Sequence, residues 1–349
     1  MQTGLAPRVS VIVLAYGAEP YLKSCVTAVL ASVDEAGCGV DLELILVDNG
    51  SHAAVAAISP DPRVILVQPS TNLGFAGGCN AGAAQARGRD LVFLNSDAIV
   101  APGAVHALAA PLADQELGMV TGAIRLADQP QLMNTVGNPV HYLGFVWAGS
   151  FGEPQEQHAS RVDVTSVSGA FFAVRRDLWV DLGGFDEHFF AYHEDTELSL
   201  RVWQRGLRVR YEPSAAAYHH YEFSRNTTKQ FLVERNRWIT VLTVFPTKVL
   251  VGILPALLVF EVPLWGLALK QGWLSDKFRS YGWLIAHRRY LRQRRSQVQR
   301  ANRIATADFC RLLSARIEPA MVERPPGLSV LNVALQLYWS AVRRLAGLR

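Results

Sequence analysis

Four short aliphatic runs constrain this chain most: VSVIVLAY at 9–16, LELILVDNGS at 42–51, RVILVQPS at 63–70 and DLVFLNSD at 90–97. Strands written as continuous Val, Ile and Leu, rather than as apolar and polar residues in alternation, are covered on both faces. Between the first two runs Leu22, Cys25, Val26, Val29, Leu30 and Val33 recur at helical spacing, and short helical stretches separate the others. The alternation predicts an α/β fold with a mainly parallel sheet between two helical layers. Ligands of such sheets gather at the carboxyl ends of the strands. Two of those ends are polar here, Asp48-Asn49-Gly50-Ser51 and Asn95-Ser96-Asp97. Each alone would pass for a turn; two on one edge point to a site.

The first strand runs into Tyr16-Gly17-Ala18-Glu19-Pro20, so the glycine fingerprint of a dinucleotide-binding unit is missing where it should stand. Glycines come later, in NLGFAGGCNAGAAQARG at 72–88, and do not fit a P-loop. Gly74, Gly77, Gly78 and Gly82 among alanines predict a small-residue helix that lets backbone approach the sheet or a ligand.

Further on, FFAYHEDTELSLR at 189–201 crowds His193, Glu194, Asp195 and Glu197 together. The spacing of Leu198, Val202 and Trp203 predicts a helix starting there, and acids in a first turn complement the helix dipole. That would suffice for a structural account. A strand at 207–213 then leads to the adjoining His219 and His220.

Of the 349 residues, 50% are hydrophobic and 18% charged, which excludes a disordered chain and leaves room for a large core. The apolarity concentrates after residue 245. Residues 249–269 carry one charge, Glu261, between Lys248 and Lys270, and reach the length of a membrane span. Pro255, Pro263 and Glu261 argue against spanning, and a single crossing would place the arginines of HRRYLRQRRSQVQR, at 287–300, on the far side. The expectation is a helical, membrane-associating region at 246–349, with proline-broken helices in the interface and arginines on anionic headgroups. A helix packed on the preceding domain is the competing reading. Val330, Val333, Leu337, Ala341 and Leu345 mark one further apolar helical face, with Arg343, Arg344 and Arg349 nearby. Aromatics for base stacking are sparse, so no nucleic-acid partner is expected. Cys25, Cys38, Cys79 and Cys310 are scattered without metal spacing, and the N-terminus lacks a secretory pattern, so a reducing, cytosolic setting is expected.

VSVIVLAYG, LILVDNGS, NLGFAGGCNAG, LVFLNSDAIV, VSGAFFAVRRDLWVDLGGFDEHFFAYHEDTELSLRV and HHYEFS occur in that order across residues 9–225. In this the chain resembles the inverting glycosyltransferases of family 2 with the GT-A fold, and among them the rhamnosyltransferase-like branch of bacterial surface polysaccharide synthesis. The resemblance implies a GT-A domain at 1–245, with a nucleotide-sugar half at about 1–100 and an acceptor half at 101–245. It also implies a divalent cation, Mg²⁺ or Mn²⁺, on the leaving diphosphate. The family's D-x-D-like motif stands here as Asn95-Ser96-Asp97, which makes Asp97 the metal ligand, with His219 the second and His220 its fallback. The Asp of the Glu-Asp pair matches Asp195, the implied general base, with Glu194 orienting it or touching the acceptor. Asp48 and Asn49 would read base or ribose beside Tyr16, while Gly74 and Asn80 approach the nucleotide. Ser168, Gly169 and Ala170 match the family's loop at the sugar and acceptor.

The implied partners are a nucleotide-diphospho-sugar donor, dTDP-rhamnose by resemblance to that branch, and a polyprenyl-diphosphate-linked saccharide at the cytoplasmic membrane face. Two other classes share the strand-edge site: a nucleotide-cofactor oxidoreductase with Asp48 on the ribose, against which the missing fingerprint counts, and a non-catalytic membrane scaffold, against which Asp97 and the intact Glu194-Asp195 pair count.

Overall fold

The computed structural model describes residues 8–35, 42–220, 228–318 and 327–347; Cys38, residues 221–225 and Arg349 lie outside them. The strands are β1 (Val9–Ala15), β2 (Leu42–Asp48), β3 (Val64–Val67), β4 (Asp90–Asn95), β5 (Ala98–Val100), β6 (Leu117–Leu126), β7 (Gln129–Thr135), β8 (Val140–His141), β9 (Val162–Asp163), β10 (Phe171–Arg175), β11 (Arg208–His219) and β12 (Leu313–Ser314). Helices α1 (Leu22–Glu35), α2 (His52–Ala56), α3 (Gly74–Gln85), α4 (Ala104–Ala109), α5 (Arg176–Leu182) and α6 (Glu194–Gln204) intersperse the first eleven strands. Then follow α7 (Lys229–Val244), α8 (Thr247–Lys270), α9 (Leu274–Ala286), α10 (Arg288–Ala301), α11 (Thr306–Leu312) and α12 (Leu328–Leu345).

The main sheet runs β3-β2-β1-β4-β10-β6-β11-β5. Its first four strands are parallel, with Val9 opposite Leu42 on one side and Asp90 on the other. The four aliphatic runs therefore form one block. β10 enters antiparallel to both β4 and β6, so the sheet is mixed rather than purely parallel. Alternate residues serve different cores: Val11 and Val13 pack with Leu22, Val26 and Val29 of α1, whereas Ile12 and Leu14 pack with Cys79 and Ala83 of α3. This is why the runs do not alternate in polarity. The small residues of α3 serve the same packing, since a β-carbon on Gly82 would stand 2.6 Å from the Ile12 side chain.

After β1 the chain crosses to β2 and β3 on one side, then returns to β4 on the other. The reversal falls between β1 and β4, where crevices open at the carboxyl ends of strands. Leu14 lies opposite Asn95 there. β5 pairs antiparallel with β11, setting His219 opposite Ala98, one residue past Asp97.

Two expectations for the C-terminal region are corrected. α8 is a single helix through Pro255 and Pro263, both on its exposed face, while Val249, Ile253, Leu257 and Glu261 form a buried stripe on the other. That packed stripe keeps the helix continuous where the prolines remove hydrogen bonds. Nor do all the arginines face outward. Arg294 pairs with Asp186 at 3.0 Å and Glu197 at 2.8 Å, and Arg295 donates to the Leu242 and Phe245 carbonyls, so both fasten α10 to the rest of the molecule. On α12, Val330, Val333, Leu337, Ala341 and Leu345 are exposed, and Leu335, Trp339 and Val342 pack into a core shared with α8.

Candidate active site

The acidic cluster sits on a strained turn. Phe190, Tyr192 and His193 have φ of 62°, 70° and 69°, positions that aromatic residues and histidine avoid at a cost of about 1–3 kcal/mol each. α6 begins at once with Glu194 and Asp195. Gly74 is what lets α3 approach this turn: its φ is +70°, and a β-carbon there would stand 2.4 Å from the Phe190 carbonyl oxygen. Gly74 thus shapes the turn.

Asp195 reaches across to the loop before β10, where the Gly169 N–H donates to its Oδ2 at 2.9 Å. Its Oδ1 accepts from the Thr196 N–H at 2.6 Å. Burial raises the carboxyls of both acids; Asp195's charge pushes Glu194 further, while the Gly169 and Thr196 donors restrain Asp195. The two buried acids differ in their donors: Asp195 accepts from two backbone N–H groups, and Glu194 is held up by burial and by its neighbour's charge. Glu194 Oε2 has no hydrogen-bond partner among the described residues. His193 is held neutral, its pKa down at about 3 through burial and the nearby Arg237. Glu197, by contrast, is bound by Arg201 and Arg294 at 2.8 Å each and is a structural acid.

Ser168–Gly169–Ala170 links this cluster to the strand ends, because the Asn95 N–H donates to the Ala170 carbonyl at 3.0 Å. Two residues on, Asp97 Oδ1 lies 3.1 Å from His219 Nε2. His219 Nδ1 lies 3.1 Å from the Asn134 side-chain amide, which orients the ring with Nε2 toward Asp97. A carboxylate and an imidazole so placed suit a divalent ion that completes its shell with substrate oxygens. No cluster of three or more metal-ligating side chains exists among the described residues. His220 is turned away, stacked on Tyr21 at 3.6 Å between centroids.

Tyr16 is exposed and its ring borders Gly50, at the same strand edge. Asp48 and Asn49 lie behind it. Asp48 Oδ1 accepts from the Gly50 and Ser51 N–H groups and Oδ2 meets His52 and Gln68, which fills the carboxylate. Burial alone would raise its pKa, but these bonds hold it below the ordinary value. Asn49 gives its amide hydrogens to Asn72 Oδ1 and the Gly74 carbonyl. Both residues also build the wall that carries Tyr16 and α3. Asn80 brackets the Phe185 backbone and meets Glu187. Ser96 is buried beside Asp97.

Sequence reasoning missed Asn236 and Arg235 of α7, whose side chains bind the carbonyls of residues 188–192. Four consecutive polar residues, Glu234 to Arg237, inside an otherwise apolar helix were the available signal. It also missed Asn134 behind His219, and Phe75, whose ring lies against Gly169.

Comparison with known proteins agrees with this geometry. Residues 7–240 match the family described as glycosyltransferase like family 2. The probable glycosyltransferase YdaM of Bacillus subtilis is 26% identical over 241 residues, which cover 66% of this chain and 54% of YdaM, so the chain spans about half the length of that relative. The N-acetylglucosaminyl-diphospho-decaprenol L-rhamnosyltransferase of Mycobacterium tuberculosis is 27% identical over 239 residues, covering 60% of this chain and 75% of that one. The structure of GalNAc-T7 with UDP, GalNAc and Mn²⁺ shares the fold, with a TM-score of 0.57 at 16% identity over 69% of this chain and 49% of that one. The chain belongs to glycosyltransferase-like family 2, with the GT-A fold.

Proposed function

We propose that the chain transfers a sugar, with inversion, from a nucleoside-diphospho-sugar to a hydroxyl of a lipid-linked saccharide at the cytoplasmic membrane face. The observation that carries this reading is the place of Asp195: a buried carboxylate on a strained turn, tied through Gly169 and Ala170 to the strand end that bears Asp97. The acceptor oxygen bonds to the anomeric carbon as the bond from that carbon to the diphosphate breaks, and the hydroxyl proton passes to Asp195. Burial and the neighbouring Asp195 raise the Glu194 carboxyl, which favours its neutral form beside the base. Asp97 and His219 would hold Mg²⁺ or Mn²⁺, which offsets charge on the leaving diphosphate.

The donor sugar is proposed as rhamnose and the acceptor as polyprenyl-diphosphate-linked, on the strength of the mycobacterial relative's name, and the donor nucleotide as dTDP by resemblance to the rhamnosyltransferase-like branch. Membrane contact is supported by α8, which is long and apolar enough to cross a bilayer yet has one face packed on the protein. Its other face exposes Val251, Leu258, Val259 and Val262, and α12 beside it exposes Val333 and Leu337. Such a helix lies in the interface rather than through it. The oxidoreductase reading falls with the family assignment.

The test is thermal melting with dTDP-rhamnose, UDP-GlcNAc and GDP-mannose, each with Mn²⁺ and with EDTA. Stabilisation by one of them that needs the metal supports the reading; stabilisation by none of them overturns it.

A further inference from the structure

Asn236 is fully buried in the middle of α7, yet its side chain serves another element. Nδ2 lies 2.9 Å from the Phe189 carbonyl oxygen, 2.8 Å from that of Ala191 and 2.7 Å from that of Tyr192, so its two hydrogens are shared among three acceptors. Oδ1 accepts from Arg235 Nε at 2.9 Å, which fixes the amide orientation. Arg235 Nη2 adds bonds to the His188 and Phe189 carbonyls at 2.7 and 2.8 Å. From the opposite side, the Ala76 N–H donates to the Phe190 carbonyl at 3.0 Å.

These carbonyls belong to the turn that holds Phe190, Tyr192 and His193 at positive φ. A backbone in such a conformation persists only while its surroundings over-determine it. The two N–H groups of one amide reach three carbonyls of the turn, and the next residues are Glu194 and Asp195.

We propose that Asn236 is a positioning residue for the transfer: it locks the turn at 189–193 in the strained form that sets the Asp195 carboxylate against the Gly169 amide. The inference rests on the reading of Asp195 as the base. Asn236 touches neither substrate nor the reacting atoms, and acts through the start of α6.

Asn236→Asp keeps the volume and replaces the N–H donors with an oxygen that the three carbonyls repel; Asn236→Ala removes the group. Turnover is measured with dTDP-rhamnose or UDP-GlcNAc, and binding-competent sites are counted by titration with dTDP or UDP and Mn²⁺. Misplacement of a reacting group by about 1 Å costs about 10²-fold, so kcat per competent site should fall by about 10²-fold. Donor KM should stay within about threefold, and amides 190–196 should exchange faster with solvent. A purely structural role would lower the count of competent sites and leave kcat per site unchanged, and that result overturns the proposal.

Where neither variant folds, Gly74→Ala presses on the same turn through the Phe190 carbonyl, and the same split is expected. An unchanged kcat per site in Gly74→Ala overturns the proposal. Asp195→Asn, run in parallel, separates the two failures. Turnover retained in Asp195→Asn removes the base assignment and this inference with it. Turnover lost there but normal in Asn236→Asp removes this inference alone.

Discussion

The Gly169 N–H donates to Asp195 Oδ2 at 2.9 Å, joining the start of α6 to the loop that runs into β10. The bond holds one carboxylate oxygen and stabilises the charge a base must carry. Asp195→Asn keeps the shape but cannot accept a proton. Its kcat should fall by about 10²–10⁴-fold, while the affinity for a nucleoside diphosphate, measured by calorimetry, stays near the parent value.

The Glu194-Asp195 pair also sets a pH dependence. Both carboxyls are raised, Glu194 well above its ordinary 4.5 and Asp195 above 3.8. The folded chain therefore binds protons more tightly than the unfolded one, and stability falls as pH rises from the ordinary carboxyl range through the raised folded values. His193, neutral, and Cys79, a buried thiol whose pKa is raised, bring no opposing charge. Glu194→Gln removes the burden and should raise the melting temperature at about pH 7 and above while flattening its pH profile. The acid limb of turnover, governed by Asp195, should lie above the range of an ordinary aspartate.

Much of this site was legible in the chain. Leu46, Val92 and their neighbours wrote the parallel block, because a strand buried on both faces must be aliphatic throughout. That block placed Asn95-Ser96-Asp97 on the ligand edge, and helical spacing placed Asp195 in a first turn. The partners that give these residues their chemistry were not legible. Asn236 reaches carbonyls, and carbonyls carry no sequence identity. Phe190, Tyr192 and His193 are residue types that do not advertise positive φ, so the strain was invisible. Asp48 and Asn80 read as ligand contacts from position alone, and only their bonds to Ser51 and Phe185 show where their polar atoms go.

Asn134 offers a test of the proposed metal site that does not need turnover. It holds His219 Nδ1 at 3.1 Å and so orients Nε2 toward Asp97. Loss of a group that orients a metal-bound histidine costs about 10–100-fold in affinity. Asn134→Ala should weaken Mn²⁺ binding in the presence of a nucleoside diphosphate by that factor, read by electron paramagnetic resonance of free Mn²⁺. Asp97→Ala should abolish it.

The exposed apolar faces of α8 and α12 predict a binding phenotype separable from catalysis. Leu258, Val262 and Leu337 are exposed, and Tyr338 ties the two helices through the Gly252 carbonyl at 2.7 Å. Leu258→Asp, Val262→Asp and Leu337→Asp together place three charges where acyl chains would lie. Co-sedimentation with anionic vesicles should drop by at least about tenfold, since about 0.8 kcal/mol is lost per CH₂ withdrawn from lipid. The melting temperature should change little.

Beneath those faces lies the group that fastens α8 to α7 and α9. Glu261, the lone acid of α8, meets Arg237 at 2.5 Å and Lys277 at 2.7 Å, and Glu234 meets the same two cations at 3.2 and 2.7 Å. All four are buried, and Tyr281 donates to Glu261 as well. Desolvating such charges cancels much of their attraction, so the set as a whole contributes little net stability. Removing one member is different, because it strands the others. Glu261→Gln should lower unfolding free energy by about 3–5 kcal/mol in urea titrations. Glu261→Gln combined with Lys277→Met removes one charge of each sign, and the double variant should lose less than the sum of the two single losses. A loss equal to that sum would mean that Glu261 and Lys277 act independently across the α8–α9 contact.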